Sequence, residues 1–393
     1  MDPENQPTPP EQPPAEPGPE PGFAPLLSPE PALSPATQNP HRLTRIFIGP
    51  QGLRSGWSVL LFLLFTAIFF AAIAVVAGIV TGHKHRGPMT TLTPYIALLG
   101  ETLQVLAILG AGALVALIER RRILDYNLRG PHRFTNFLGG LATGFVALSA
   151  LVGALAWGKW LHFGAVAISG PQILGFGAVW ALAFLLTGFF EEGSFRCFFL
   201  YTLTRGLNFW WALALVAAAC LDLVLRAKGN GVWGVYVIAL LLLVPCLILH
   251  LKRAPSASFW EAAWVTSTYF GFLHTSNNGE NWIGIFSAAA IGFVFCVSVW
   301  VTGSAWWAIG CHAAWDWAET YFYGTADSGM IAKGHFLTTH PAGNVFWSGG
   351  TDGPEGSVLV LGAIALILLI LLVFYRRKKA PAMPTEAAIQ SVS

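Results

Sequence analysis

Charge is what this sequence has least of. Of its 393 residues only 11% are Asp, Glu, Lys or Arg, while 54% are hydrophobic and the mean hydropathy is +0.59. Long apolar stretches recur along most of the chain, which excludes an ordinary soluble domain and predicts a polytopic helical membrane protein. A net charge of only +2 gives no basic surface for nucleic acid. Cysteine is scarce as well: Cys197, Cys220, Cys246, Cys296 and Cys311 all lie in apolar segments without paired spacing. They read as small buried hydrophobes, not as a disulfide or metal framework. There is no His-Glu-x-x-His zinc motif and no internal repeat of the kind that marks many transporters.

The first 40 residues hold 14 of the 25 prolines and six acids, with no Lys or Arg. Such a stretch buries too little apolar surface to fold and is expected to be a flexible tail, or a docking arm for a partner of unknown identity. It lacks the basic start and apolar centre of a cleavable signal, so insertion should depend on the first hydrophobic helix. Beyond it, about ten stretches near 20 residues long are candidate spans. They lie near 56–82, 94–118, 136–162, 173–200, 209–226, 232–251, 258–275, 282–302, 305–323 and 356–375. The arginine-rich segment ERRRILDYNLRGPHRF and the tail YRRKK should face the cytoplasm. An even number of spans then places both termini there, in a multi-pass protein of the cell membrane. Tryptophans such as Trp300, Trp306, Trp307, Trp315 and Trp317 lie near span ends, where interface anchors are expected.

Within the fourth span stands FFEEGSFRCFFL, with Glu191, Glu192 and Arg196 inside an apolar run. Each ionisable group near a bilayer centre costs about 2.5–3.5 kcal/mol on insertion scales, so three within six residues require a reason. On a helix Glu192 and Arg196 share a face and can pair, whereas Glu191 points about 100° away with no local cation. Glu192 and Arg196 therefore suit a structural pair, and Glu191 suits a general base. The bland alternative is an ion pair that fixes helix packing, with Glu191 facing a polar cavity. Two histidines favour a convergent site. His274 ends an apolar helix in FGFLH, four residues after Phe270, and His312 shares a helical face with Asp316 in HAAWD.

These three patterns, in this order and each on a hydrophobic helix, resemble the CPBP family of intramembrane proteases. That family includes the type II CAAX prenyl endopeptidases, the lysostaphin-resistance-protein-A-like proteins and the bacteriocin-processing enzymes, variously described as metalloproteases or glutamic proteases. The matching residues are Glu191-Glu192-Gly-Ser-Phe-Arg196, Phe270-Gly-Phe-Leu-His274 and His312-Ala-Ala-Trp-Asp316. The resemblance implies an all-α transmembrane bundle of about 8–10 spans and a membrane endopeptidase acting on a peptide or membrane-protein substrate. It implies catalytic roles for Glu191 and His274, which would activate water, and for His312 and Asp316 at the oxyanion. Glu192, Arg196 and Asn277 would support them, Asn277 by orienting His274, although Asn278 is equally placed. No cofactor is required by this scheme, with zinc on Glu191, His274 and His312 as the alternative. A noncatalytic scaffold or a transporter on the same helical core also stays open.

The chain departs from the family in having Asp316 where asparagine is more frequent. An ionised aspartate cannot donate to an oxyanion. Either Asp316 carries a proton, or it accepts a bond from His312 and keeps that ring charged and aimed; the second is expected. The expected layout is a Pro-rich tail at 1–50, N-terminal transmembrane helices at 51–170 and a CPBP-like core at 171–323. An inserted hairpin at 209–251 interrupts the core. A Gly-rich loop at 324–354, a last span at 355–376 and a cytoplasmic tail at 377–393 complete it. The loop either caps the site or is a plain extramembrane turn, and the resemblance extends to its FWSGGTDGPEGS, whose GPEGS also looks like members of the family. Glu191 and His274 also fall at different expected depths, so one helix should be tilted or broken if they meet.

Overall fold

The computed structural model describes residues 44–49, 52–81, 91–226, 243–277 and 279–375. The expected tails at 1–40 and 377–393 and most of the expected span at 232–251 lie outside them. The fold is the anticipated helical bundle. Its main helices are α1 (Ser55–Thr81), α2 (Pro94–Ile118), α3 (Arg133–Trp157), α4 (Pro171–Glu192) and α5 (Phe209–Arg226). After them come α6 (Ala257–Leu273), α7 (Trp282–Thr302), α8 (Trp306–Asp316) and α9 (Val360–Phe374).

Five segments among the described residues are long and apolar enough to cross a membrane: Ser55–Ile79, Pro94–Ile118, Arg133–Trp157, Pro171–Thr204 and Trp282–Thr302. A 25-residue helix is about 37 Å long, more than the ~30 Å hydrocarbon layer. Helices α5, α6, α8 and α9 are shorter and complete the bundle. Helix α1 is apolar all round, yet in its described part the protein buries only Ser58 and Phe62, so most of its surface faces lipid.

Close helix crossings set the positions of the motif residues. Without a hydrophobic drive between helices in lipid, small residues that let backbones approach are the usual means of packing. Gly140 and Gly144 of α3 lie against α8: a Cβ on either would come within 2.1 Å of the carbonyl oxygen of Trp307 or Cys311. Gly310 of α8 returns the arrangement, a Cβ there falling 2.3 Å from the Phe137 carbonyl. On its other side α8 meets Gly188 of α4. Helix α8 is thus held between α3 and α4 at backbone-to-backbone distance.

Two helices change pitch. Immediately after Glu192, helix α4 becomes π-helical over Gly193–Phe199 before resuming at Leu200–Thr204. Immediately after Asp316, α8 becomes π-helical over Trp317–Tyr323. Such wide turns are rare and gather at functional sites. Here each comes directly after an acidic residue of the expected motifs.

The loop 324–354 is not a plain turn. Its strand β2 (Leu337–Pro341) pairs antiparallel with β1 (Leu161–Val166), and Ile331–Ala332 pairs parallel with Thr91–Leu92. A short helix, Val345–Ser348, and a 3₁₀ turn, Pro354–Gly356, then lead into α9. Of the tryptophans expected as interface anchors, Trp300, Trp306 and Trp317 are partly exposed and two are buried. Trp307 is wholly buried and Trp315 nearly so, and Trp317 donates to the Gly177 carbonyl at 3.0 Å. Packing against neighbouring helices has taken Trp307 and Trp315 into the protein interior.

Candidate active site

Glu192 and Arg196 are both fully buried. Arg196 Nε stands 3.1 Å from Glu192 Oε2, and Nη1 donates to Glu192 Oε1 at 3.3 Å. The guanidinium lies 4.2 Å from the centroid of the Phe270 ring, a cation–π placement that the FGFLH motif brings from α6. Gly292 of α7 makes room for it, since a Cβ there would lie 2.5 Å from Nη2. The Arg196 carbonyl, inside the π segment, accepts from Asn127 Nδ2 at 2.8 Å. The expected pair is present, and it does more than pair.

Glu192 Oε1 also faces His312 Nδ1 at 2.8 Å. The other ring nitrogen, Nε2, stands 3.5 Å from Asp316 Oδ2 and 3.7 Å from Glu191 Oε2. A neutral imidazole donates from one nitrogen only, so an imidazolium is the form that satisfies acceptors on both sides. Its Nδ1–H is committed to Glu192. Its Nε2 position, with both carboxylates beyond good hydrogen-bond length, leaves room along the N–H direction for a third acceptor. The ring stacks on Phe295 at 5.8 Å, which fixes its plane.

His274 caps the C-terminal end of α6. Its Nδ1 lies 2.8 Å from the Phe270 carbonyl oxygen. A carbonyl only accepts, so Nδ1 carries the hydrogen, and a neutral ring then keeps its lone pair on Nε2.

His274, His312 and Asp316 line one cavity of about 50 Å³, together with Phe270, Phe295, Trp315 and Glu355. That is room for a few waters, not for a peptide. Glu191 is partly exposed and reaches the group through His312, and its Oε2 has no hydrogen-bond partner. Among the described residues no hydrogen bond or ion pair joins Glu191 to His274. Asn277 does not orient His274 through its side chain: its amide donates to Glu280 Oε2 at 3.2 Å. Only its backbone N–H bonds the His274 carbonyl, at 2.9 Å. The loop after His274 turns outward, and the backbone carbonyl four residues earlier does the orienting instead. Asn278 lies outside the described residues.

Two acids at the site were not anticipated. Glu355, in the Pro354–Gly356 turn, accepts a hydrogen bond from Trp315 Nε1 at 2.9 Å and faces the cavity. Burial, then the nearby Asp327 and Asp352 carboxylates, push its carboxyl up to about 8. Glu319 lies in the π segment after Asp316, fully buried with neither carboxyl oxygen hydrogen-bonded. An acid three residues beyond Asp316 in an apolar helix was a signal in itself. Nothing local in GPEGS revealed that its glutamate reaches the histidines. Close by, burial and then Asp352 push Glu280 up to about 9, while burial lifts Asp352 to about 6.

For the zinc alternative, the three expected ligands Glu191, His274 and His312 are not drawn together as one group. With Nδ1–H of His312 held by Glu192, a neutral ring would keep its Nε2 lone pair for a metal, as in a carboxylate–histidine–metal arrangement. Among the described residues no three His, Cys, Asp or Glu side chains are grouped to hold an ion.

The bundle and the carboxylate–histidine centre define a multi-pass membrane protein with the apparatus of a hydrolase. Residues 243–318 match the family described as type II CAAX prenyl endopeptidase, Rce1-like, in keeping with the resemblance carried by the motifs. The matched segment contains His274, His312 and Asp316; Glu191, Glu192 and Arg196 precede it. No curated protein and no solved structure matches the chain.

Proposed function

We propose that the protein is an intramembrane endopeptidase that hydrolyses a peptide bond of a CAAX-type or other membrane-associated substrate with a water activated by Glu191 and His274, and no metal. The observation that carries this reading is the pairing of opposite proton states on one cavity. His274 offers a lone pair at Nε2, while His312 offers an uncommitted N–H. A base on one side and a donor on the other are what addition of water to a carbonyl requires.

In this scheme a water in the cavity gives its proton to His274 Nε2, and Glu191, which reaches the group beside His312, takes it up in turn as the water oxygen bonds the carbonyl carbon. Negative charge develops on the carbonyl oxygen, which is placed to accept from His312 Nε2–H in preference to its long carboxylate contacts. Asp316 keeps the ring aimed and does not itself donate. Glu192, neutralised in part by Arg196, holds the opposite nitrogen and thereby the ring's orientation. The arginine-rich segment 119–134 faces the cytoplasm, and both termini lie on that side.

The test is cleavage of quenched peptides, prenylated and unprenylated, by wild type and by Glu191→Ala, with and without a strong chelator. Glu191→Ala should lose at least about 100-fold, a typical general-base contribution, while remaining folded. The chelator should have no effect. Chelator-sensitive activity would transfer the reading to a metal, and a wild type that cleaves no peptide would leave a scaffold or transporter.

A further inference from the structure

We propose that Glu355, outside the three motifs, is the acid that protonates the leaving amine, completing the site from the loop that precedes α9. The inference rests on the endopeptidase reading and adds to it a residue that the matched segment does not contain.

The need arises from the chemistry. Collapse of the tetrahedral adduct breaks the C–N bond, and the electron pair of that bond stays on nitrogen. An amide anion is too poor a leaving group to depart unprotonated, so nitrogen must gain a proton as the bond breaks. The titratable groups lining the cavity are His274, His312, Asp316, Glu355 and the buried thiol Cys311. His274 is committed as an acceptor, and His312 is tied to Glu192 with its other N–H required by the oxyanion. Asp316 lies against His312. Glu355 alone among the carboxyls lining the cavity has no cationic partner within ion-pair distance among the described residues. One of its oxygens is held by Trp315, and the residue keeps part of its surface open. It enters from the loop side, between α8 and the start of α9, whereas Glu192 and Glu191 approach from α4. The water's proton is taken by Glu191 and His274, and a second proton is delivered by Glu355. Acid and base exchange roles through solvent before the next turnover, so the sum is peptide plus water giving a carboxylic acid and an amine.

The surroundings keep a proton available there. Glu355 is faced by Asp316, Asp327, Asp352, Glu280 and Glu319, with His312 as the opposing cation. Its carboxyl, pushed up to about 8 by burial first and then by Asp327 and Asp352, is largely protonated at neutral pH.

The deciding experiment measures leaving-group dependence in the full chain. Wild type, Glu355→Gln and Trp315→Phe are compared on a peptide amide and on the matching nitrophenyl ester, whose leaving group departs without a proton. Glu355→Gln keeps an oxygen to accept from Trp315 and should lose about 10²- to 10⁴-fold in kcat on the amide, with KM little changed and the ester nearly spared. Trp315→Phe, which removes the positioning bond, should show the same pattern at smaller size. The alkaline limb of the wild-type amide profile, lost as pH rises through about 8, should vanish in Glu355→Gln. Equal losses on amide and ester, or no loss on either, overturn the assignment and leave the endopeptidase reading intact. A wild type inactive on both substrates overturns the two together.

Discussion

Glu191 and Glu192 are neighbours in sequence with opposite situations. Glu192 is sealed between Arg196 and His312, whereas Glu191 is partly exposed with one oxygen unpartnered. Removing one member of a buried pair costs about 3–5 kcal/mol, because the other charge is left in low dielectric. Glu192→Gln should therefore lower thermal stability in detergent by that order, and Glu191→Gln should leave it nearly unchanged. The double variant Glu192→Gln with Arg196→Met should recover much of the loss, since neither charge is then stranded. Equal melting temperatures for the two single glutamine variants would contradict this division of roles.

At the scale of elements, the site depends on how near α8 can come to α3 and α4. The glycines at 140, 144, 188 and 310 remove the side chains that would hold the backbones apart. Gly144→Val places its Cβ on the Cys311 carbonyl and must push α8 away from α3. The expected cost is about 1–3 kcal/mol of overpacking, with cleavage reduced more than stability because the His312–Glu192 contact of 2.8 Å depends on the same crossing. Gly144→Ala should give a smaller effect in the same direction. Melting curves and cleavage rates on the three proteins check the ranking, and full activity in Gly144→Val would show that the crossing does not position His312. The π segments act alongside. Arg196 itself lies within the wider turn after Glu192, so the pair forms across the start of the π segment, and the wider turn after Asp316 re-aims the residues that follow it.

For the whole molecule, long apolar helices establish a multi-pass membrane protein, and orientation is the property to measure. Reporter fusions or membrane-impermeant thiol labelling at each terminus should place both on the cytoplasmic side under the proposed orientation, in which the arginines of 119–134 face the cytoplasm and the span number is even. Termini on opposite sides would imply an odd number of spans and a different facing for the cavity. The cavity itself is lined on one side by Val360, Ile364 and Ile367 of α9 and by Ile291 of α7. A peptide backbone entering there must displace apolar side chains of the last helix.

Much of this was legible in the residues alone. Apolar runs of sufficient length have one outcome in a bilayer, where every backbone polar group must bond within its own segment, so the helical bundle was a direct consequence. Local periodicity was enough for Glu192 with Arg196 and for His312 with Asp316, because residues four apart meet on any helix. Contacts between helices distant in sequence were not legible. That Glu192 would hold His312 across 120 positions, that Asn277 would turn to Glu280, and that Glu355 would reach the histidines all depend on helix crossings and loop paths. A crossing distance is set by small residues on both partners at once, and a loop's reach by where its two ends are anchored. Neither quantity exists until the chain has packed.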